Sequence, residues 1–264
     1  MKKLVLLIAT LLSFTAIAKD NAIVLTPNNT ISLLGKVDYK SVSGVIQKMY
    51  TLSAEKFYLY ISSPGGRILA GQSLIGAMKA SGKDIECIAD FAASMAFVIF
   101  QKCKVRHILP HSIIMQHEAS YGVNGQAPNI KSMVGFIERM LFVMDTEQAK
   151  RLQISYKIFK QKTRDDWWIY GPDILKAKAA DNFATVKCSK RLTKSWYKRI
   201  FGSFFSSAEK TIYFSKCPLI LAPIDKPKNA DDDDVEYQYI TEYDNIDVRT
   251  MNGKMIKEIN NIKL

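Results

Sequence analysis

Short apolar strands that alternate with helices constrain the fold of this chain more than any other feature of its sequence. Residues 57–62 and 84–89 have the apolar, partly β-branched composition of buried strands, and residues 113–116 form a third such run. Helical patterns alternate with them, and residues 37–49 predict the first helix. Because strands separated by helices pair in parallel through right-handed crossovers, the sequence predicts an α/β fold with a parallel sheet and flanking helices.

The turn after the second strand places a serine where a helix begins. Residues 91–96 have the sequence Phe-Ala-Ala-Ser-Met-Ala, and residues 95–102 form an apolar helical pattern whose first turn begins at Ser94. A hydroxyl at this point lies beside free backbone N–H groups and the positive end of the helix dipole, where an oxyanion can form. Ser94 is therefore a candidate nucleophile, although a small residue chosen for close packing gives the same local pattern.

The ends of the other two strands also have residues suited to catalysis. A Ser-Pro-Gly-Gly segment that ends at Gly66 follows the first strand and precedes an amphipathic helix. Paired glycines after a strand allow a backbone N–H group to approach a ligand closely. The third strand leads into His117, and the only other histidines are His107 and His111, so few candidates exist for a general base.

The order of these motifs resembles the proteolytic subunit of the Clp protease family, which belongs to the larger group that shares the crotonase fold. The resemblance covers about residues 31–181 and rests on the combination of Ser-Pro-Gly-Gly, Ala-Ala-Ser-Met and Met-Gln-His with the strands and helices between them. The Gly-Gln-Ala segment at residues 125–127 resembles the start of the family's long handle helix. This resemblance implies a crotonase/Clp-protease-like fold and a serine peptidase activity.

Five residues match the family's catalytic positions. The resemblance implies that Ser94 is the nucleophile, His117 the general base and Asp166 the acid of a catalytic triad. It also implies that the backbone amides of Gly66 and Met95 form the oxyanion hole. The same resemblance implies a peptide or protein substrate and a homo-oligomer.

Two adjacent aspartates compete for the role of the triad acid. Asp165 and Asp166 both precede a pair of tryptophans, and alignment without a gap to the Pro-Asp pair at residues 172–173 selects Asp166. We expect the Asp166 carboxylate to be buried with fixed partners. Asp165 is expected to point to solvent or to Arg164.

The first 18 residues have the pattern of a secretory signal peptide. A positive Met-Lys-Lys start, an apolar run and a small-x-small site that ends at Ala18 predict cleavage before Lys19. The predicted location is therefore exported, either periplasmic or secreted. Such a location separates the protein from cytosolic ATP-driven unfoldases, so an ATPase partner is not expected.

Charge is distributed unevenly along the chain, whose formal net charge is +12. Six basic residues lie close together without an intervening acid: Lys187, Lys190, Arg191, Lys194, Lys198 and Arg199. With the aromatic residues between them, they are compatible with an amphipathic helix that binds an anionic membrane surface or a protein partner, but a solvated face over a packing stripe is the favoured interpretation. Residues 231–264 have nine acidic and four basic residues, and nucleic acid is not an expected partner.

The four cysteines, Cys87, Cys103, Cys188 and Cys217, permit two disulfides in an exported protein. We predict a bond between Cys188 and Cys217 because they flank the basic segment in a region with little apparent core, and we also expect Cys87 to pair with Cys103. The spacings typical of zinc sites are missing from the sequence, and the Asp231 to Asp234 run lacks the alternating oxygens of a calcium loop. No nucleotide-binding loop is present, so no metal or cofactor is predicted.

Three further patterns complete the organisation of the chain. Residues 129–160 have apolar positions at helical spacing, which predicts one long helix. Residues 213–222 predict a strand, residues 223–234 a linker, and residues 237–264 a hairpin around Asn252 and Gly253. We divide the chain into a signal peptide (1–18), a Clp-protease-like catalytic domain (19–188) and a C-terminal extension (189–264).

Several functional classes are compatible with this fold. The favoured interpretation is a serine endopeptidase that needs no ATPase partner. The alternatives are an acyl-CoA hydratase or isomerase, a Ser-Lys signal-peptide-peptidase-like protease in which His117 is incidental, and a non-catalytic binding protein. The predicted export disfavours the enzymes that use coenzyme A.

Overall fold

The computed structural model of the chain describes residues 22–203, 206–225 and 235–239. The predicted signal peptide, the four-aspartate run and the predicted Asn252–Gly253 hairpin turn lie outside these ranges. The described helices and strands are, in chain order, β1 (Ile23–Leu25), β2 (Thr30–Leu34), α1 (Tyr39–Thr51), β3 (Lys56–Ser63), α2 (Ile68–Ala80), β4 (Asp84–Ala93), α3 (Met95–Gln101), β5 (Val105–Gln116), α4 (Ala127–Arg151), α5 (Tyr156–Thr163), β6 (Trp167–Tyr170), α6 (Pro172–Lys176), β7 (Asn182–Phe183), β8 (Val186–Cys188), α7 (Lys190–Lys194), β9 (Trp196–Ser203), β10 (Ser206–Ser215), β11 (Pro223–Ile224) and β12 (Val235–Tyr239).

The main sheet has six strands and is mostly parallel. Strands β2, β3, β4 and β5 lie side by side in this order and are parallel. Strand β6 adds to β5 in the antiparallel direction, and the short β7 pairs with β5 in parallel. This topology confirms the predicted α/β fold, and it gathers the C-terminal ends of β3, β4 and β5 at one edge of the sheet.

The main hydrophobic core lies between this sheet and helices α1, α2 and α3. Side chains such as Val45 of α1, Leu74 of α2 and Phe97 of α3 are buried against strand residues such as Leu59 and Ile61. Burying an aliphatic or aromatic side chain of this size contributes about 1.5–3 kcal/mol. The helices are thereby fixed on the sheet, and α3 is completely buried, which holds its N-terminus beside the strand ends.

Helix α1 begins two residues later than predicted. The Asp38 carboxylate accepts a hydrogen bond from the Ser41 amide (2.8 Å), and the Ser41 hydroxyl accepts one from the Asp38 amide (3.1 Å). This reciprocal arrangement is a capping box, so Asp38 precedes the first helical residue, Tyr39. Val37 instead forms an isolated parallel bridge with Gly66, which ties the chain before α1 to the turn after β3.

Strands β4 and β5 are longer than the sequence pattern predicted. Strand β4 continues to Ala93 and β5 begins at Val105, with a register shift between them after Ala89. The buried Ser112 hydroxyl donates to the Ala89 carbonyl (2.6 Å) and accepts from the Leu109 amide (2.7 Å). The Ser112 side chain thus supplies hydrogen bonds where the regular backbone pairing of β4 and β5 is interrupted. Strand β5 therefore continues through Pro110, although a proline in the sequence usually predicts the end of a strand.

The long helix predicted over residues 129–160 is wrong, because two helices occupy this region. Helix α4 ends at Arg151, and Gln153 has a left-handed φ of 58°. Ser155 then caps α5 by accepting a hydrogen bond from the Ile158 amide (3.2 Å). In the described part of the chain no helix, α4 included, combines the length and the apolar character needed to cross a membrane.

The amphipathic helix considered for the basic segment, residues 187–199, is also not observed. The segment contains the end of β8, the five-residue helix α7 and the start of β9. Strand β9 pairs with β10 in the antiparallel direction and with β12 in parallel, and β10 pairs with β11. Trp196 and Tyr197 of β9 contact Tyr213 and Phe214 of β10, so these aromatic residues pack across a strand pair and not along a helix. The strand predicted over residues 213–222 is shifted as well, since β10 covers Ser206–Ser215 and a turn follows.

A second hydrophobic cluster covers the other face of the main sheet. Tyr60, Ile88 and Leu109 of the sheet are buried against residues that include Leu192 of α7 and Cys217. The C-terminal segment thus packs on the sheet and closes the face that the helices leave open.

Both predicted disulfides are present. Cys188 is bonded to Cys217, and Cys87 to Cys103. The first bond joins the end of β8 to the turn after β10, and the second joins β4 to the residues that follow α3. A crosslink that closes a loop of such a size contributes about 3 kcal/mol in the chain-entropy account.

Candidate active site

Ser94 lies between the last residue of β4 and the first residue of α3, in an unusual backbone conformation. Its φ is 54° and its ψ is −122°, outside the regions that residues with a Cβ normally adopt. The Ser94 amide donates to the Met115 carbonyl (2.9 Å), which fixes the turn against β5. Backbone strain of this kind is retained where the surrounding structure enforces it, and it frequently marks functional sites.

His117 follows the last residue of β5 and faces Ser94. Its Nε2 atom lies 2.8 Å from the Ser94 Oγ atom. Because β4 and β5 are adjacent parallel strands, the residues that follow them meet at the same edge of the sheet. At this distance an imidazole in which Nε2 is unprotonated accepts a hydrogen bond from the serine hydroxyl, which is the starting arrangement for general-base catalysis.

A buried pair of glutamines supports the histidine, and sequence reasoning did not identify it. The Gln116 side-chain amide donates to the Gln148 side-chain oxygen (2.6 Å), and the Gln116 oxygen accepts from the His117 amide (3.2 Å). Both glutamines are buried. The bond between them fixes the end of β5 against α4, and the bond from the His117 amide fixes the backbone of the histidine to the Gln116 side chain. Gln148 occupies an interior position of the helix, and only a buried polar residue within an apolar stripe signals such a contact in the sequence.

The segment after His117 is anchored to α5. The Glu118 amide donates to the Thr163 carbonyl (3.1 Å), and the Lys160 ammonium lies 2.7 Å from the Glu118 carboxylate and 3.3 Å from that of Asp145. Burial raises the pKa of Asp145, although the positive charge of Lys160 opposes this shift. These contacts hold the end of α5, and hence the aspartates that follow it, beside the histidine.

Asp166 lies near the other side of the imidazole but is not buried. Its Oδ1 atom lies 3.9 Å from the Nδ1 atom of His117, which is too long for a hydrogen bond, and 57% of its side chain is exposed. The expectation of a buried carboxylate with fixed partners is therefore wrong. Asp166 lies in the turn between α5 and β6 and has a positive φ of 55°. The turn brings the residue near His117 at the edge of the sheet, but the side chain of Asp166 stays exposed to solvent.

The neighbouring aspartate points away from the histidine. The Asp165 carboxylate accepts hydrogen bonds from the Arg164 guanidinium, including one of 3.0 Å from Nη2. Both side chains are largely exposed. The predicted contact of Asp165 with Arg164 is confirmed, and of the two aspartates Asp166 is the one near His117.

The glycine pair after β3 packs directly against the serine turn. Gly65 has a φ of 88°, and a Cβ atom there would lie 2.7 Å from the Ser94 Cβ atom and 2.8 Å from the Met95 amide nitrogen. Hydrogen bonds from the Val37 amide to the Gly65 carbonyl and from the Gly65 amide to the Ser63 hydroxyl hold this loop. Glycine is thus required for the close approach of the two loops.

The two amides implied as an oxyanion hole belong to these two loops. Met95 is the first residue of α3, and an amide in the first turn of a helix has no carbonyl acceptor within that helix. Gly66 forms an isolated parallel bridge with Val37. The Val37 carbonyl accepts a hydrogen bond from the amide of Arg67, the residue after Gly66. The packing of Gly65 against Met95 brings the two segments together next to the Ser94 side chain.

We expect Gly65→Ala to lower kcat/KM for peptide hydrolysis about 10²-fold, because a methyl group would displace the serine turn. The added Cβ would lie only 2.5 Å from the Ala93 carbonyl oxygen, on a backbone that disfavours alanine. Gly76→Ala is the matched control, since a Cβ at this position of α2 meets nothing within 4 Å. Equal activity of both variants in a peptide assay would show that the close approach is unimportant.

The other two histidines belong to contacts away from Ser94. His107 lies 3.0 Å from Glu86, which also pairs with Lys56. Burial raises the pKa of Glu86, but the hydrogen bonds from Lys56 and His107 outweigh it, and the net pKa is lowered. His111 lies 3.2 Å from Asp90. Within the described ranges, no group of three or more histidine, cysteine, aspartate or glutamate residues could hold a metal ion.

Comparison with protein families identifies one match that spans this site. A family model described as Clp protease matches residues 15–181, which is more than half of the 264 residues. The matched segment contains Ser94, His117, Asp166 and the glycine pair, and it ends before β7. Together with the mostly parallel sheet and its flanking helices, the match confirms the predicted crotonase-type fold.

Proposed function

This chain belongs to the Clp protease family, and from that premise we propose that it is a serine endopeptidase with a catalytic triad of Ser94, His117 and Asp166. Membership of the family indicates a peptidase that acts on peptides or proteins. The observation on which the proposal rests is the 2.8 Å contact between His117 Nε2 and Ser94 Oγ. Such a contact between a nucleophile and a base is the geometric requirement for an activated serine.

The proposed reaction has two steps. His117 Nε2 takes the proton of the Ser94 hydroxyl while Oγ attacks the peptide carbonyl, and it then gives this proton to the leaving amine. A water molecule next attacks the acyl-enzyme and gives its proton to His117, after which the Ser94 oxygen leaves with that proton. The products are a free amine and a carboxylic acid, and the enzyme is restored.

The backbone amides of Met95 and Gly66 are proposed to stabilise the negative charge on the substrate oxygen. The Met95 amide is at the positive end of α3, and the Gly65–Gly66 backbone is held against it. Donors that are already oriented stabilise a tetrahedral intermediate without reorganisation, and loss of one such donor typically lowers kcat by about 10²–10³-fold.

Asp166 is proposed to orient the imidazole and to stabilise its charged form. The 3.9 Å separation between Asp166 and His117 Nδ1 needs only a small movement to become a hydrogen bond. Contacts of this kind are often long in an enzyme without substrate and become shorter in the complex. The exposed position of the carboxylate leaves it free to make this movement.

We propose residues 19–188 as the catalytic domain and residues 189–264 as a C-terminal extension. The family match ends at residue 181, and α7, β9, β10, β11 and β12 follow it. Members of the Clp protease family form oligomers, and we propose a homo-oligomer for this chain.

We further propose that cleavage requires no ATPase partner because the protein is exported. The pattern of residues 1–18 supports export, and the two disulfides suit an oxidising compartment. ATP-driven unfoldases act in the cytosol, so the substrates would be peptides or loosely folded proteins.

Two other functions are distinguished from this proposal by specific features. In a Ser-Lys peptidase a lysine would accept the proton of Ser94, whereas here the hydroxyl lies within hydrogen-bond distance of His117. A non-catalytic binding protein needs no activated serine. The strained backbone of Ser94 and its contact with a histidine both favour the enzyme over this alternative.

Hydrolysis of unfolded casein and of short fluorogenic peptides, measured without nucleotide, tests the proposed activity. We expect the purified mature protein to cleave these substrates, and we expect added ATP to leave the rate unchanged. Well-folded protein that cleaves none of them would support the binding-protein alternative. Cleavage that depends on ATP and an added unfoldase would overturn the proposed independence from an ATPase.

A further inference from the structure

Four basic side chains lie exposed on the C-terminal segment that follows the family match: Lys187, Lys190, Arg191 and Lys194. No salt bridge joins any of them to another residue within the ranges that the structure describes. The sequence from residue 182 to residue 208 contains no acidic residue. Within the part of the chain that the structure describes, their positive charge is therefore not neutralised by an ion pair.

An exposed aliphatic turn lies on the same segment. Leu219, Ile220 and Leu221 are adjacent in sequence, and their exposed fractions are 36%, 37% and 53%. The Ile220 amide donates to the Cys217 carbonyl (3.0 Å), which folds this stretch into a tight turn. Three consecutive exposed aliphatic residues are costly in water and are typical of a surface that binds an apolar phase.

Covalent and backbone bonds hold the aliphatic turn beside the basic residues. The disulfide between Cys217 and Cys188 joins a residue two positions before Leu219 to the neighbour of Lys187. The Lys216 amide also donates to the Ser195 carbonyl (2.9 Å), next to the end of α7. We define the basic-apolar patch as Lys187, Lys190, Arg191, Lys194 and residues 219–221.

We propose that the basic-apolar patch binds the surface of an anionic lipid membrane. Each basic residue near such a surface is attracted by the lipid phosphates, and aliphatic side chains insert into the boundary between headgroups and acyl chains. A nucleic acid offers the same phosphate charge but no aliphatic phase, so it leaves residues 219–221 unexplained. Charge complementarity and the exposed aliphatic surface together favour a lipid membrane over a nucleic acid as the binding partner.

Two acidic residues near the turn must be weighed against this proposal. Asp90 lines a cleft of about 440 Å³ together with Leu219 and Leu221, but 15% of its side chain is exposed and His111 lies 3.2 Å away. Asp225 follows the turn and is exposed. The four basic residues of the patch outnumber these two acids, so the described part of this surface has a net positive charge.

Cosedimentation of the purified mature protein with lipid vesicles tests the proposal. We expect binding to phosphatidylcholine vesicles that contain about 30% phosphatidylglycerol, at least tenfold weaker binding to pure phosphatidylcholine, and a marked loss when salt is raised to about 0.5 M. Equal affinity for both kinds of vesicle, or binding to neither, would overturn it. Retention on RNA or DNA without binding to vesicles would assign the patch to nucleic acid instead.

Matched charge variants identify the residues responsible. The triple variant Lys190→Gln, Arg191→Gln and Lys194→Gln should weaken binding to the anionic vesicles on the order of 100-fold. The control replaces three exposed lysines on other helices, Lys48, Lys79 and Lys131, by glutamine and removes the same charge. If both triple variants weaken binding equally, net charge alone causes it and the patch is not a site.

A second variant tests the aliphatic turn. Replacement of Leu219, Ile220 and Leu221 by serine should lower the affinity for anionic vesicles at least tenfold while the charge is unchanged. Circular dichroism and peptide hydrolysis verify that the fold is retained. Undiminished binding by this variant would contradict insertion of the turn into the membrane.

Discussion

Ser94→Ala is expected to lower kcat/KM for peptide hydrolysis about 10⁵-fold, since removal of the nucleophile of a triad eliminates the acyl-enzyme route. The Ser94 hydroxyl is the group that His117 contacts at 2.8 Å. Kinetics with a fluorogenic peptide measure the effect. Because the oxyanion donors remain, a slow residual hydrolysis above that of water is expected.

The matched control for this variant is Ser73→Ala. Ser73 is an exposed residue of α2 whose hydroxyl donates only to the Leu69 carbonyl of its own helix (3.0 Å). It should retain the activity of the wild type. If Ser94→Ala retained comparable activity, the nucleophile would have to be another group and the proposed mechanism would be wrong.

Asp166→Asn is expected to lower kcat by about 10²–10⁴-fold, because an amide favours the wrong tautomer of His117 and cannot stabilise its charged form. The decrease in kcat is about 10²-fold if the exposed Asp166 carboxylate stays 3.9 Å from His117 Nδ1 and does not form a hydrogen bond with it. Circular dichroism of the purified variant establishes that it is folded before its kinetics are compared.

Asp165→Asn is the natural control, since this residue adjoins Asp166 but pairs with Arg164. We expect a change of less than about threefold, as for an exposed pair that contributes little. If Asp165→Asn were the inactive variant, the acid would move by one residue and the triad would remain. If neither substitution mattered, the role of His117 as base would be in doubt.

The alternation of strands and helices and the serine turn could be predicted because both depend on local patterns. Short apolar strands between helices permit few arrangements, and parallel pairing brings the ends of β4 and β5 together, where Ser94 and His117 meet. The position of Asp166 came only from resemblance, and its exposure was not foreseen. Exposure depends on what covers a turn, and a single sequence does not contain that information.

Other features depend on particular side chains that override a pattern. The Asp38 capping box delayed α1, and the Ser155 cap began a new helix where the apolar stripe continued. In the basic segment the interleaved aromatic residues suggested a helix, whereas the structure has strand β9 from Trp196 onward because this stretch pairs with β10. The buried bond between Gln116 and Gln148 joins residues far apart in the chain, so a polar residue within the apolar stripe of α4 does not reveal which residue is its partner.

Labelling by a fluorophosphonate probe is the most direct test of the claim that His117 activates Ser94. We predict that the wild-type protein reacts at neutral pH and that peptide mass spectrometry locates the adduct on Ser94. We also predict that His117→Gln slows labelling by several orders of magnitude, because the serine then lacks its base. Absence of labelling on well-folded wild-type protein, or an adduct on another residue, would contradict the account.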